Sequence, residues 1–161
     1  MVLTNSRVLV VDDDVYIRSL LQDFLTREGY GVVCHSSAVE ALKFLRTSSA
    51  DADPPVDLII SDIKMAQMDG MQFLATLKEE IPELPVILMT GNASIDAAIE
   101  ATRKGAFHYL VKPFKLSEVR LHVERALEKR SLALDVQRLR KELKQEWGLK
   151  DIIGKSVGQR G

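Results

Sequence analysis

The stretch 58-LIISDIKMAQMDG-70 runs a short apolar segment straight into an aspartate and then into a flexible segment that closes on Asp-Gly. So short an apolar run, bounded by turn residues, fits a strand covered on both faces. Ending such a strand on a carboxylate puts a charge at the edge of the core. Asp62 therefore either caps the following turn or is held there for chemistry, and the rest of the chain decides between the two.

Working outward, similar runs recur at 7-RVLVV-11, 31-GVVC-34, 57-DLIIS-61, 86-VILM-89 and 108-HYLV-111. Between them the period changes. Ile17, Leu20, Leu21, Phe24 and Leu25 follow helical spacing, as do Ala38, Ala41, Leu42 and Leu45. Met71, Leu74 and Leu77, then Ile95, Ala98 and Ile99, then Leu116, Val119 and Val123 supply three further stripes. Alternating strands and helices predict right-handed crossovers and a parallel sheet with helices on both faces. The expectation is an open, doubly wound α/β domain over residues 5–126. Gly29, Gly31, Gly91 and Gly105 mark its joins, and 47-TSSADADPPV-56 reads as a polar loop.

Composition excludes several function classes. With 46% hydrophobic residues and a net charge of -1, the chain is neither a disordered segment nor a basic nucleic-acid surface. The single cysteine, Cys34, has no partner for an internal disulfide, and no apolar run approaches a membrane span or a signal-peptide core. The expected location is the cytoplasm, with no membrane partner. Asn92-Ala93-Ser94 matches a glycosylation acceptor but, without a secretory signal, reads as the turn leading into a helix.

Past Lys112-Pro113 a helix starting near Ser117 meets no glycine or proline until Gly148. At 1.5 Å per residue it would reach roughly 45 Å, too long for a crossover helix in so small a domain. Leu132, Val136, Leu139 and Leu143 repeat with 4, 3, 4 spacing among Arg, Lys, Glu and Gln, the seam of a short coiled coil. Ala133 and Leu134 lie off that seam and Trp147 sits one place past it, so its register is imperfect. The reading is an extended fifth helix and coiled-coil linker over residues 117–147, followed by a disordered stub at 148–161.

In parallel α/β sheets, ligands bind beyond the carboxyl ends of the strands. On that rule Asp12, Asp13 and Asp14 follow the first strand and Asp62 ends the third, with Thr90 at the end of the fourth and Lys112 at the end of the fifth. Taken singly, each is a cap, a turn residue or a solvated charge. Clustered carboxylates repel one another, and a hard divalent cation such as Mg²⁺ is their natural compensator. A carboxylate held beside Mg²⁺ and a lysine is equipped to attack phosphorus and form an acyl phosphate.

Four linked segments, 9-LVVDDD-14, 62-DIKMAQMDG-70, 88-LMTG-91 and 111-VKPF-114, resemble the receiver domain of two-component response regulators. The resemblance implies a flavodoxin-like fold with strand order 2-1-3-4-5. Position by position it implies that Asp62 is the phosphoacceptor and that Asp13 is a direct Mg²⁺ ligand, with Asp12 acting on the metal through water. The Lys64 backbone carbonyl would be a further ligand. Thr90 and Lys112 would bind and sense the phosphoryl group, Tyr109 would be the rotating aromatic of the switch, and Asp14 would cap the first helix. A cis Lys112-Pro113 bond is also implied. Ala66 stands where the family commonly has proline, which leaves the loop after Asp62 less stiff without removing a ligand.

The resemblance further implies a histidine kinase as donor and a homodimer formed through the face of the fourth helix, fifth strand and fifth helix, together with the linker. The domain would catalyse only its own phosphoryl transfer and dephosphorylation. The tail through 152-IIGKS-156 resembles the linker of NtrC-type activators of sigma-54 transcription, which carry an AAA+ domain. Five residues separate Gly148 from Gly154 where a phosphate loop has four, so no nucleotide site is expected. Direct nucleic-acid binding is not expected in this fragment. A stand-alone receiver acting by partner docking is the alternative. A Mg²⁺-dependent aspartyl phosphatase would want an acid where Lys64 stands.

Overall fold

The computed structural model describes residues 6–47, 55–91 and 94–147. Five strands, β1 (Arg7–Val11), β2 (Gly31–His35), β3 (Leu58–Asp62), β4 (Val86–Thr90) and β5 (His108–Val111), alternate with α1 (Val15–Arg27), α2 (Ala38–Arg46), α3 (Gly70–Glu80), α4 (Ile95–Arg103) and α5 (Leu116–Trp147). All neighbouring strands are parallel and the sheet order is β2-β1-β3-β4-β5. This is the doubly wound, flavodoxin-like arrangement that the alternation and the resemblance predict. β3 is shifted one residue from the sequence reading and includes Asp62 itself.

Alternate residues of the central strands feed two separate cores, as the pleat requires. Val8 and Val10 of β1, Leu58 and Ile60 of β3, and Ile87 and Met89 of β4 pack with Leu21 and Leu25 of α1 and with Val119, Val123 and Ala126 of α5. Leu9, Val11, Ile59 and Leu88 face the opposite way, towards α2, α3 and Ala101 of α4. The central strands have no wet face, which is why their sequences read as continuous apolar runs. One stripe departs from expectation. Ile95 and Ile99 are 76% and 50% exposed, because α4 seats its small residue Ala101 on the core instead.

Helix starts follow from capping. Asp14, Ser37, Asp69 and Ser94 each accept a backbone N–H from the first turn of α1, α2, α3 and α4 respectively. Asp69 forms a full capping box with Gln72. The Lys112-Pro113 peptide is cis. In the loop after β3, Gln67 takes a φ of 71°, a left-handed conformation uncommon outside glycine and asparagine.

The chain divides into two compact units, residues 1–127 and 128–161. In the second, Leu132, Val136, Leu139 and Leu143 are all between 45% and 60% exposed. Among the described residues no helix is long and apolar enough to cross a membrane. Residues 48–54 of the polar loop, Asn92 and the stub expected at 148–161 lie outside the described residues.

Candidate functional site

Strand register assembles the site. Val11 is level with Ser61 across β1 and β3, so Asp12 emerges beside Asp62, the last residue of β3. Asp62 is level with Met89, and Thr90 with Val111, which brings the ends of β4 and β5 to the same rim. Thr90 is buried at its strand end, and its carbonyl accepts the Lys112 backbone N–H at 2.7 Å.

Three carboxylates converge there: ligand oxygens of Asp12, Asp13 and Asp62 all lie within 4.8 Å of one another. Asp12 is fully buried, Asp62 nearly so and Asp13 exposed. The Lys112 ammonium spans two of them, 2.9 Å from Asp12 Oδ2 and 3.2 Å from Asp62 Oδ1. Burial, and then the neighbouring Asp12 charge, push the Asp62 carboxyl above its ordinary range, against the opposing pull of Lys112 and of the Ile63 backbone. Burial works against the charge on Lys112, yet the two carboxylates outweigh it and hold the ammonium pKa above normal. One ammonium against three carboxylates leaves the rim short of positive charge. The all-oxygen donor set fits a hard divalent cation of the Mg²⁺ kind.

The backbone behind Asp62 is tightly held. Ile63 donates to the Met89 carbonyl at 3.0 Å, and Gly70 donates to the Ile63 carbonyl at 2.7 Å. Gly70, the first residue of α3, lies so close that a Cβ there would fall inside van der Waals contact of the Asp62 carbonyl oxygen and 2.8 Å from Ile63 Cα. The loop carrying Lys64 is thus closed at its base by a glycine and at its far end by the Asp69 capping box. The Lys64 side chain is exposed.

Asp14 caps α1, with Tyr16 N donating to its Oδ1 at 2.8 Å. Tyr109 is half-buried and packs on the α2–α3–α4 side of the sheet. Leu132, Val136, Leu139 and Leu143 belong to the second unit. Two features here have no clear signal in the sequence. Arg18 donates to the Asp12 carbonyl at 2.7 Å, although as a lone arginine in an amphipathic helix it reads as a solvated charge. The close packing of Gly70 is likewise hidden, because Asp-Gly signals only a turn.

A family model described as the response regulator receiver domain matches residues 8–124. Over 151 residues the chain is 35% identical to the regulatory protein AtoC of Escherichia coli (strain K12), an alignment covering 94% of this chain and 32% of AtoC. It is 42% identical over 120 residues to the DNA-binding transcriptional regulator NtrC of Proteus hauseri, covering 74% of this chain and 24% of NtrC. The chain thus spans about a third or less of the length of these curated relatives. Among solved structures, that of the beryllofluoride-activated NtrC4 receiver domain dimer superposes with a TM-score of 0.70 at 35% identity, covering 77% of this chain and 98% of that one.

Proposed function

Because this chain belongs to the response regulator receiver domain family over residues 8–124, we propose that it is a phosphorylation switch whose acceptor is Asp62. The observation that carries this reading is the packing of the Asp12, Asp13 and Asp62 ligand oxygens within 4.8 Å, with Lys112 bonded to two of the three residues. An Asp62 oxygen attacks the phosphorus of a histidine kinase phosphohistidine. The P–N bond breaks with its electron pair going to nitrogen, the imidazole departs as a neutral ring keeping the proton already on its other nitrogen, and Asp62 becomes an acyl phosphate. Lys112 is within reach of the transferring oxygens and Thr90 stands at the adjacent strand end. Asp12, Asp13, Asp62 and the Lys64 carbonyl would hold Mg²⁺, which supplies charge neutralisation for the phosphoryl group.

The output follows the same elements. Thr90 and Tyr109 on β4 and β5 would shift with the phosphoryl group and alter the surface of α4, β5 and α5. Ile95 and Ile99 of α4 and the seam residues Leu132, Val136, Leu139 and Leu143 are exposed apolar groups of the kind that a homodimer covers. A receiver of a cytoplasmic transcription regulator of the NtrC type, controlling an AAA+ sigma-54 activator domain, is the context that the relatives favour. Intact mass after incubation with acetyl phosphate and Mg²⁺ tests the acceptor. Wild type is expected to gain one phosphoryl group and Asp62→Asn none. An equal gain in both would remove Asp62 from its role.

A further inference from the structure

Among the described residues, Asp13 is the one carboxylate of the rim that no other side chain holds. Asp12 Oδ1 accepts the Asp14 N–H at 2.9 Å, its Oδ2 accepts from Lys112 at 2.9 Å, and Asp62 pairs with Lys112 at 3.2 Å. Asp13 is exposed, and among the described residues its carboxylate has neither hydrogen bond nor ion pair. The direction of an unheld side chain is set by the backbone that carries it. For Asp13 that backbone begins with the peptide joining it to Asp12.

Asp12 is pinned on both sides. Its N–H donates to the His35 carbonyl of β2 at 3.2 Å, and its carbonyl accepts from Arg18 Nη1 at 2.7 Å. The second bond is short, charge-assisted and made by a half-buried side chain rooted in α1. It fixes the plane of the Asp12–Asp13 peptide. We propose that Arg18 is a positioning residue: by holding the Asp12 carbonyl it aims the otherwise unsupported Asp13 at a divalent cation shared with Asp12 and Asp62. This rests on the proposed Mg²⁺-dependent reading of the rim.

A guanidinium beside a cation site has a second, opposite effect, because its charge repels the cation. The two roles therefore predict opposite signs. If charge dominated, removing Arg18 would tighten Mg²⁺ binding; if positioning dominates, removal weakens it.

The test is Mg²⁺ titration by calorimetry of wild type, Arg18→Met, Asp13→Asn and the double variant, with the Mg²⁺ dependence of acetyl phosphate labelling read in parallel. Thermal unfolding of each variant shows that it is folded, and Arg18→Gln replaces Arg18→Met if the latter is not. Arg18→Met is expected to raise the Mg²⁺ dissociation constant roughly three- to tenfold, less than the full worth of a charge-assisted hydrogen bond because the bond acts on the cation only through the direction of Asp13. The labelling rate at saturating Mg²⁺ should stay within about twofold of wild type. In the Asp13→Asn background the same substitution should change the constant by less than about twofold, since its effect runs through Asp13. Unchanged or tighter Mg²⁺ binding in Arg18→Met, or an undiminished effect without Asp13, overturns the positioning role alone. Failure of wild type to bind Mg²⁺ overturns the Mg²⁺-dependent reading of the rim on which it rests.

Discussion

At the carboxyl rim of the sheet, Asp12 and Asp62 are buried beside Lys112, whereas on the β5–α5 flank His108 and His122 stack with ring centroids 3.5 Å apart. Both places press titratable groups against the sheet. At the rim, the Lys112 ammonium at the end of β5 pairs with both carboxylates and opposes the upward push of burial on Asp62. On the flank, burial lowers both imidazole pKa values, and Arg125 lowers them further. For His108 the His122 ring adds to the effect, and Glu118 opposes it at both positions. The neutral stack needs no counterion. Burial disfavours charge at both places, and at the rim an ammonium is set against that effect.

The largest expected effect tests how rigidly the rim is held. Gly70→Ala forces a Cβ against the Asp62 and Ile63 backbone, which cannot step aside as a flexible side chain would. It should cost about 3 kcal/mol in denaturant unfolding, within the range of overpacking. A cost below about 1 kcal/mol would mean that the loop after Asp62 yields easily.

A smaller effect of opposite sign tests the charge at the rim. The Asp62 pKa is raised in the folded protein, so the folded state binds that proton more tightly than the unfolded chain. The resulting penalty is full above the folded pKa and fades as pH falls below the unfolded value. Asp62→Asn, without added divalent cation, should therefore be more stable than wild type at pH 7 by about 1 kcal/mol. The gain should shrink towards pH 4. A less stable variant would show that Lys112 already balances the rim.

The flank should respond least and in the other direction. Lowered imidazole pKa values mean that the unfolded chain takes up protons first. Stability is full above about pH 6.5 and is lost as pH falls through that value towards the folded pKa values. His122→Gln should flatten the Tm profile between pH 8 and pH 5 relative to wild type. Parallel profiles would detach the stack from the pH response.

The difference between rim and flank also marks what can be read from sequence. Strand ends are legible because buried strands are apolar runs that stop abruptly, and Asp12, Asp62, Thr90 and Lys112 stand where the runs at β1, β3, β4 and β5 stop. Their convergence follows from parallel strands together with the order β1-β3-β4-β5, which the resemblance implies and the runs themselves do not. Ile95 and Ile99 mislead because their spacing is helical but the helix turns its alanine inward, a choice made by packing distance rather than by period. Arg18, Gly70 and the histidine stack are hidden for a common reason. Each depends on contact between elements: Arg18 on the β1–α1 turn, Gly70 on the backbone of β3, and His108 on a residue of α5 fourteen positions away.

Lys112 also bears on ion selectivity. Because its ammonium bridges Asp12 and Asp62 at 2.9 and 3.2 Å, the rim contains a counterion tethered by the chain itself. Any ion arriving from solution competes with that ammonium at a local concentration that dilution cannot lower. A monovalent ion offers no charge advantage over an ammonium already in place. A divalent ion brings twice the charge to the same carboxylates. On the proposed reading of the rim as a Mg²⁺ site, the lysine would act as a threshold, setting the charge density that an ion must exceed to enter.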